Sequence, residues 1–158
     1  MVTEIGISVD AAEEPTYKLN RGGSWKRLWE NIEFINRLQS RDKKLILGLY
    51  FTVQDNNFKE IIPFVHLAIK HRVSWISLTA LRNWGTYTEE DYQRRAVHLP
   101  EHPNHQKFKR VISILSSAKN PRIVMEQIFT SAHRDRGIRE TRTTATDAAT
   151  GPGEPIPG

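Results

Sequence analysis

The sequence predicts an α/β fold built on a parallel sheet. Three observations carry that expectation. The run "LILGLYFTV" at 45–53 is apolar almost throughout and rich in β-branched and aromatic residues, the pattern of a strand buried on both faces. It lies between two stretches with helical period, 24–40 and 57–71. Two further short β-branched segments, 4–10 and 73–79, flank those helices. The order is β-α-β-α-β, with connections long enough for right-handed crossover helices.

In order, "EIGISVD" (4–10) alternates and ends in a turn-former, so it reads as a strand. In "SWKRLWENIEFINRLQS" (24–40) apolar residues fall at 25, 28, 29, 32, 35 and 38, with Ser24 as N-cap. In "NFKEIIPFVHLAIKH" (57–71), Asn57 and Glu60 have capping-box spacing, and Pro63 is expected to cost a hydrogen bond and bend the helix. "VSWISLT" (73–79) is the third strand, and "ALRNWGTY" a loop. Thr88 and Asp91 are spaced to cap a short helix. "HQKFKRVISILSSAK" (105–119) places Phe108, Val111, Ile112 and Leu115 on one side of another helix. "RIVMEQIF" (122–129) fits a strand or a helical turn, with strand preferred. One β/α domain over 1–130 is expected, followed by a disordered tail at 131–158 rich in Thr, Ala, Gly and Pro.

Composition narrows the function. Apolar content of 38% and charged content of 26% fit a soluble globular chain. The net charge of +5 is spread along the sequence without a basic stripe interleaved with aromatics, which argues against nucleic-acid binding. No apolar run approaches the ~20 residues of a membrane span. The first residues, "MVTEIG", lack the charged and apolar regions of a signal peptide, so a cytoplasmic location is expected. There is no cysteine, so this chain supplies no disulfide, thiolate metal ligand or cysteine nucleophile.

Ligands of parallel α/β proteins sit beyond the carboxyl ends of the strands. Here those ends carry Ser8 and Asp10, then Gln54, Asp55, Asn56 and Asn57, then Thr79, Arg82 and Asn83, with Arg21 in the first strand–helix connection. Turn chemistry alone also places Asp and Asn at such ends.

Three stretches resemble the second half of a radical S-adenosylmethionine domain. They are "ISVDAAEEPTYKLNRGGSWKRLWENIEFI", "LYFTVQDNNFKEIIPFVHLAIKHRVSWISLTALRNWGTY" and "HLPEHPNHQKF", and together they span about residues 4 to 110. The resemblance is to the group with a Ser-Ile-Asp-type strand before a Tyr…Arg-Gly-Gly loop, then a "fVVQ..N..E" junction, then a strand leading to "L.NWGT". It implies a partial (β/α) barrel of six units, of which this chain would hold the fourth, fifth and sixth strands. A full eight-unit barrel takes about 250 residues.

In that family a Cys-x3-Cys-x2-Cys loop holds a [4Fe–4S] cluster, which binds S-adenosylmethionine and cleaves it to a 5′-deoxyadenosyl radical. This chain departs from the pattern: it has no cysteine to ligate a cluster. What the resemblance carries over is the other wall of the cofactor site. It implies Ser8 and Asp10 near the sugar and amino-acid portion, Arg21 against the carboxylate, Gln54 and Asn57 facing the same cavity, and 78–81 passing the adenine. Trp84 would lie at the barrel mouth. Two functions follow as expectations. One is an enzyme half that needs a cluster-bearing N-terminal half. The other is a non-catalytic half-barrel that oligomerises through open sheet edges or binds a ligand.

His98, His102 and His105 have a spacing that could bind zinc on a helix. Pro100 and Pro103 interrupt it, so a solvated loop is expected and no metal site is assigned. Trp25 and Trp29, one helical turn apart, are expected in the core.

Overall fold

A computed structural model describes residues 2–126 and Phe129. The expected tail at 131–158 lies outside the described residues. Among the described residues there are four strands and five α-helices: β1 (Thr3–Ser8), α1 (Glu14–Arg21), α2 (Trp25–Arg41), β2 (Leu45–Val53), α3 (Ile61–Lys70), β3 (Trp75–Ala80), α4 (Glu89–Arg95), α5 (His105–Ser117) and β4 (Ile123–Met125). The strands form one parallel sheet in the order β1-β2-β3-β4. No helix among the described residues is long and apolar enough to cross a membrane.

Each strand joins the sheet on the same side of its predecessor. Right-handed crossovers then leave the helices on one face. Side-chain alternation bears this out. Leu47, Leu49, Phe51 and Val53 of β2 and Ile76, Leu78 and Ala80 of β3 share one buried cluster with residues of the helices. From α2 come Leu28 and Ile32, from α3 Ile61, Phe64, Val65 and Ala68, and from α5 Phe108, Ile112 and Leu115. Phe51 stacks on Phe64 at 4.8 Å between ring centroids. Each such buried side chain contributes roughly 1.5–3 kcal/mol of transfer free energy, which makes this cluster the main source of stability.

Among the described residues, the other face of the sheet has no layer of helices over it. Its row on β2 is Ile46, Gly48, Tyr50 and Thr52, and none of these belongs to the core cluster. Tyr50 is 38% exposed and Val124 of β4 57% exposed. Parallel sheets are ordinarily covered on both faces, so this half-naked sheet is unusual for its class. Trp75 and Tyr50 partly roof it themselves, edge to face at 5.0 Å. Their rings lie over Gly48 and Gly6, which face each other in the β1–β2 register. A Cβ on Gly48 would stand 2.0 Å from the Trp75 ring.

Local chemistry explains most boundaries. Ser24 Oγ accepts the Arg27 N–H and caps α2, as its sequence suggests. Thr88 does the same for α4 through the Asp91 N–H. Gly22, at φ 69°, ends α1 in a left-handed turn and lets the chain reach Ser24, the N-cap of α2, two residues later. Tyr17, Trp25, Trp29 and His71 then stack in series, with centroid spacings of 5.4, 5.3 and 4.4 Å, and tie α1 and α2 to the end of α3.

Four expectations are corrected. Residues 14–21 form a helix where the sequence suggested a connection, and Arg21 is its last residue. Asn57 and Glu60 make no capping box, because both side chains reach other elements (below) and a 3₁₀ turn at Phe58–Glu60 precedes α3. Pro63 therefore falls in the first turn of α3, where its missing N–H costs nothing. The histidine segment is not a solvated loop, since His98, His102 and His105 are each at least nine-tenths buried.

One measurement checks the roof over the sheet. Gly48→Ala drives a methyl into the Trp75 ring and is expected to cost about 1–3 kcal/mol in urea unfolding. Trp75→Leu in the same chain should recover most of that loss. Equal loss in the single and double variants would show that the ring is not the obstacle.

Candidate functional site at the carboxyl edge of the sheet

Where β1 ends, Asp10 takes a left-handed backbone conformation, φ 56°, which Asp tolerates better than most residues. The turn folds the residue back on its neighbours. Its Oδ1 accepts the Thr52 N–H at 2.6 Å, and its Oδ2 pairs with Arg21 Nη2 at 2.5 Å. Its carbonyl accepts from Asn20 Nδ2 and from Asn57 Nδ2, both at 2.9 Å. Burial pushes the Asp10 carboxyl above its ordinary value, against the downward pull of the Thr52 N–H and the Arg21 guanidinium.

Asn57, fully buried, completes the knot. Its Oδ1 accepts the Gln54 N–H at 2.7 Å, and its Nδ2 also donates to the Thr52 carbonyl at 3.0 Å. Every polar atom of the Asn57 side chain is thereby used to shape the end of β2. Asn56 Nδ2 donates to Asn20 Oδ1 at 2.7 Å and links this turn to α1.

The predicted residues divide accordingly. Asp10, Arg21 and Asn57 are brought together. Gln54 follows β2 directly and is only 8% exposed, yet among the described residues its side-chain amide has no hydrogen-bond partner. Ser8 does not join the knot. It sits on the uncovered face of β1, opposite Tyr50.

Two residues that sequence reasoning did not place at this site hold the edge. Glu60 accepts the N–H groups of Ala12 and Glu13, the first at 2.7 Å, and the Thr16 hydroxyl. Helix α1 has no side-chain cap of its own at Glu13, so this carboxylate serves its positive end from elsewhere in the chain. Glu126, just past β4, accepts the Ala80 N–H at 3.0 Å and meets Arg82 at 3.3 Å, and so closes the end of β3. Both lie far from their partners in sequence, and no local motif announces them.

Two cavities open at this edge. One, of about 360 Å³, is lined by Thr52, Thr79, Leu81, Trp84, Tyr87 and Glu126 among others, with Trp84 85% exposed at its rim. The other, of about 470 Å³, lies over the end of β2 between α1 and α4 and contains Asn20, Gln54, Asp55, Tyr87, Arg94 and Arg95.

His102 and His105 sit beside these cavities as packed, hydrogen-bonded groups. His102 Nδ1 accepts the Asn104 N–H at 3.1 Å, which leaves its Nε2 as donor to the Arg94 carbonyl at 2.9 Å. His105 Nδ1 donates to the Val97 carbonyl at 3.2 Å. Among the described residues, no group of three or more acidic, His or Cys side chains could hold a metal ion. His98 Nδ1 is buried without a partner among the described residues, and burial holds this ring below its ordinary value, opposed by Glu126 and reinforced by Arg82. No family model matches the chain, and no curated protein matches it.

Two outcomes follow. Asn57→Ala orphans the Gln54 N–H and weakens the support of two carbonyls, an expected loss of about 3 kcal/mol in chemical unfolding. Asn57→Asp is expected to be worse at neutral pH, because it sets a carboxylate against both carbonyls. An Asp variant as stable as wild type would remove the assigned donor role.

The second outcome concerns pH. Burial also lowers His71, opposed by Glu33 and reinforced by Lys70. A histidine lowered in the folded state adds stability above its unfolded value of 6.5, and that stability is lost as pH falls through the folded value. Asp10, raised above 3.8, acts oppositely, since its protonation favours the fold as pH falls toward 3.8. Urea midpoints should therefore drop as pH descends from 6.5, and the double variant His71→Gln, His98→Gln should flatten that drop. An unchanged slope in the double variant would assign the loss to other groups.

Proposed function

We propose that this chain is the carboxyl-terminal half of a radical S-adenosylmethionine-type partial barrel, supplying the wall that receives the cofactor's amino-acid and sugar portions. The observation that carries this reading is the one-sided winding of the sheet. Among the described residues, four parallel strands in sequential order, with helices on one face, leave the other face open. That is the arrangement of a barrel segment, whose inner face is covered by the barrel's remaining strands. Ser8, Tyr50, Thr52, Ser77 and Thr79 are on that face toward its carboxyl end, where ligands of such folds bind.

The residues fit the cofactor in part. S-adenosylmethionine presents a carboxylate, and Arg21 presents a planar fork of donors. One nitrogen of that fork is committed to Asp10, while the side chain remains 35% exposed. Asp10 and Asn57 act here as positioning residues, since their polar atoms are already engaged within the protein. Ser8 and the Gln54 amide are the remaining polar contacts, and Trp84 offers a ring at the mouth. The residues do not fit the iron–sulfur cluster, because the chain has no cysteine. The family's reductive cleavage of the cofactor is therefore assigned to a half bearing Cys-x3-Cys-x2-Cys, on another chain or elsewhere on the same polypeptide.

A second reading is a non-catalytic module whose open face is covered by another copy. The exposed Tyr50 and Val124 on that face favour it.

Calorimetry with S-adenosylmethionine separates the two. The cofactor reading expects a saturable heat in the micromolar-to-millimolar range. Arg21→Lys, which keeps charge but loses the fork, should weaken binding about tenfold. No heat at millimolar ligand, together with a dimer by sedimentation that Tyr50→Glu splits, would replace the first reading with the second.

A further inference from the structure

We infer that the cavity over the end of β2 is a binding site for the oxyanion of a small molecule, a carboxylate or a phosphate. Three observations converge on it. The first is Gln54, whose amide lines the cavity from a residue more than nine-tenths buried and has no hydrogen-bond partner among the described residues. The residue is buried but its amide opens to the cavity, so those polar atoms are available to a ligand.

The second is charge. Arg94 and Arg95 line the same cavity. Arg94 leans on Asp91, its neighbour on α4. Arg95 has no carboxylate partner among the described residues, and its guanidinium lies 5.3 Å from the centre of the Tyr87 ring, which restricts it. A stacked guanidinium keeps its in-plane N–H donors for a planar or tetrahedral oxyanion.

The third is the disposition of the one acidic group in the lining. Asp55 Oδ1 accepts from Asn104 Nδ2 at 2.9 Å, which engages one oxygen of this carboxylate within the protein. The lining thus offers the Gln54 amide and the Arg95 guanidinium as its uncommitted donors among the described residues, with Arg94 beside them. The backbone of this wall is fixed as well, since the Asp55 N–H is bound to the Arg95 carbonyl at 2.8 Å and so ties the turn after β2 to the end of α4.

This inference needs neither a cluster nor S-adenosylmethionine; it shares the Gln54 amide with the cofactor proposal, and Arg95, which that proposal does not use, tells the two apart. The test is titration of the full chain, labelled with ¹⁵N, with inorganic phosphate and separately with succinate, following the Gln54 side-chain NH₂ resonances. Saturable movement of those resonances with either probe is expected, and the tighter probe identifies the chemistry. Arg95→Gln, an exposed substitution, should weaken the response about tenfold or more. Gln54→Leu, followed at the backbone amides of Asp55 and Arg95, should weaken the response about tenfold without loss of the folded spectrum. A separate basic cavity at the opposite end of the sheet, with Arg37, Lys43 and Arg72, serves as internal control. No saturable movement at Gln54, or movement confined to Arg72 and its neighbours, would overturn the inference. So would a response that Arg95→Gln leaves unchanged.

Discussion

Asp10 joins four segments that would otherwise have no reason to meet. Its carboxylate holds the backbone of β2 at Thr52 and the last residue of α1 at Arg21, and its carbonyl collects the side chains of Asn20 and Asn57. Each contact depends on the left-handed turn at this residue. A residue with the usual φ would send the carboxylate away from Thr52. The group is buried deeply enough that desolvation outweighs its favourable contacts. Such an arrangement is poor as a source of stability and good as a constraint. It fixes where α1 starts its return, and thereby the direction in which Arg21 points and the wall on which Asn20 sits.

The fold's large features were legible because they rest on periodicity. Leu45–Val53 is read correctly to the residue, since a continuous apolar run has no other stable home than a covered strand. Ser24 and Thr88 cap their helices as their spacing suggests, because a cap is a local transaction over three residues. The failures share a different cause. Asn57 and Glu60 match a capping box, yet each finds a better-placed partner across the structure: Asn57 in the buried turn of Asp10, Glu60 at the bare end of α1. Local spacing shows which bonds are available, and tertiary proximity decides among them. The histidine segment failed for the same reason. Two prolines do break the helix there, but α4, α5 and the edge of the sheet close over the loop and bury its rings.

At the site, sequence brought Asp10, Arg21, Asn57 and Gln54 to one end of the sheet simply by reading strand ends. It could not distinguish residues that build the edge from residues that present themselves to a ligand. That division depends on which polar atoms are already spent. Asn57 has none left, while Gln54, three positions earlier, has its whole amide unspent among the described residues. The two look alike in sequence and are opposite in consequence. Arg94 and Arg95 drew no attention as part of an exposed helix, and they matter only because the turn after β2 is bound to the end of α4.

The open face of the sheet constrains any account of what this chain does. Tyr50 and Trp75 fold over Gly6 and Gly48 and hide part of it, but side chains lying flat on their own sheet shield much less apolar surface than a second layer would. Asp10 and Arg21 stand at the rim of that face. Because one guanidinium nitrogen is committed to Asp10, an anion arriving at Arg21 must use the remaining donors or compete with a carboxylate that is buried and already disfavoured as a charge. Withdrawing Arg21 would leave Asp10 charged without its counter-ion, and the turn that aligns β1, β2 and α1 would be strained with it. Occupation of this rim and integrity of the sheet's edge are therefore coupled through a single ion pair. A ligand that shares the guanidinium strengthens the edge, and one that captures it whole loosens the edge.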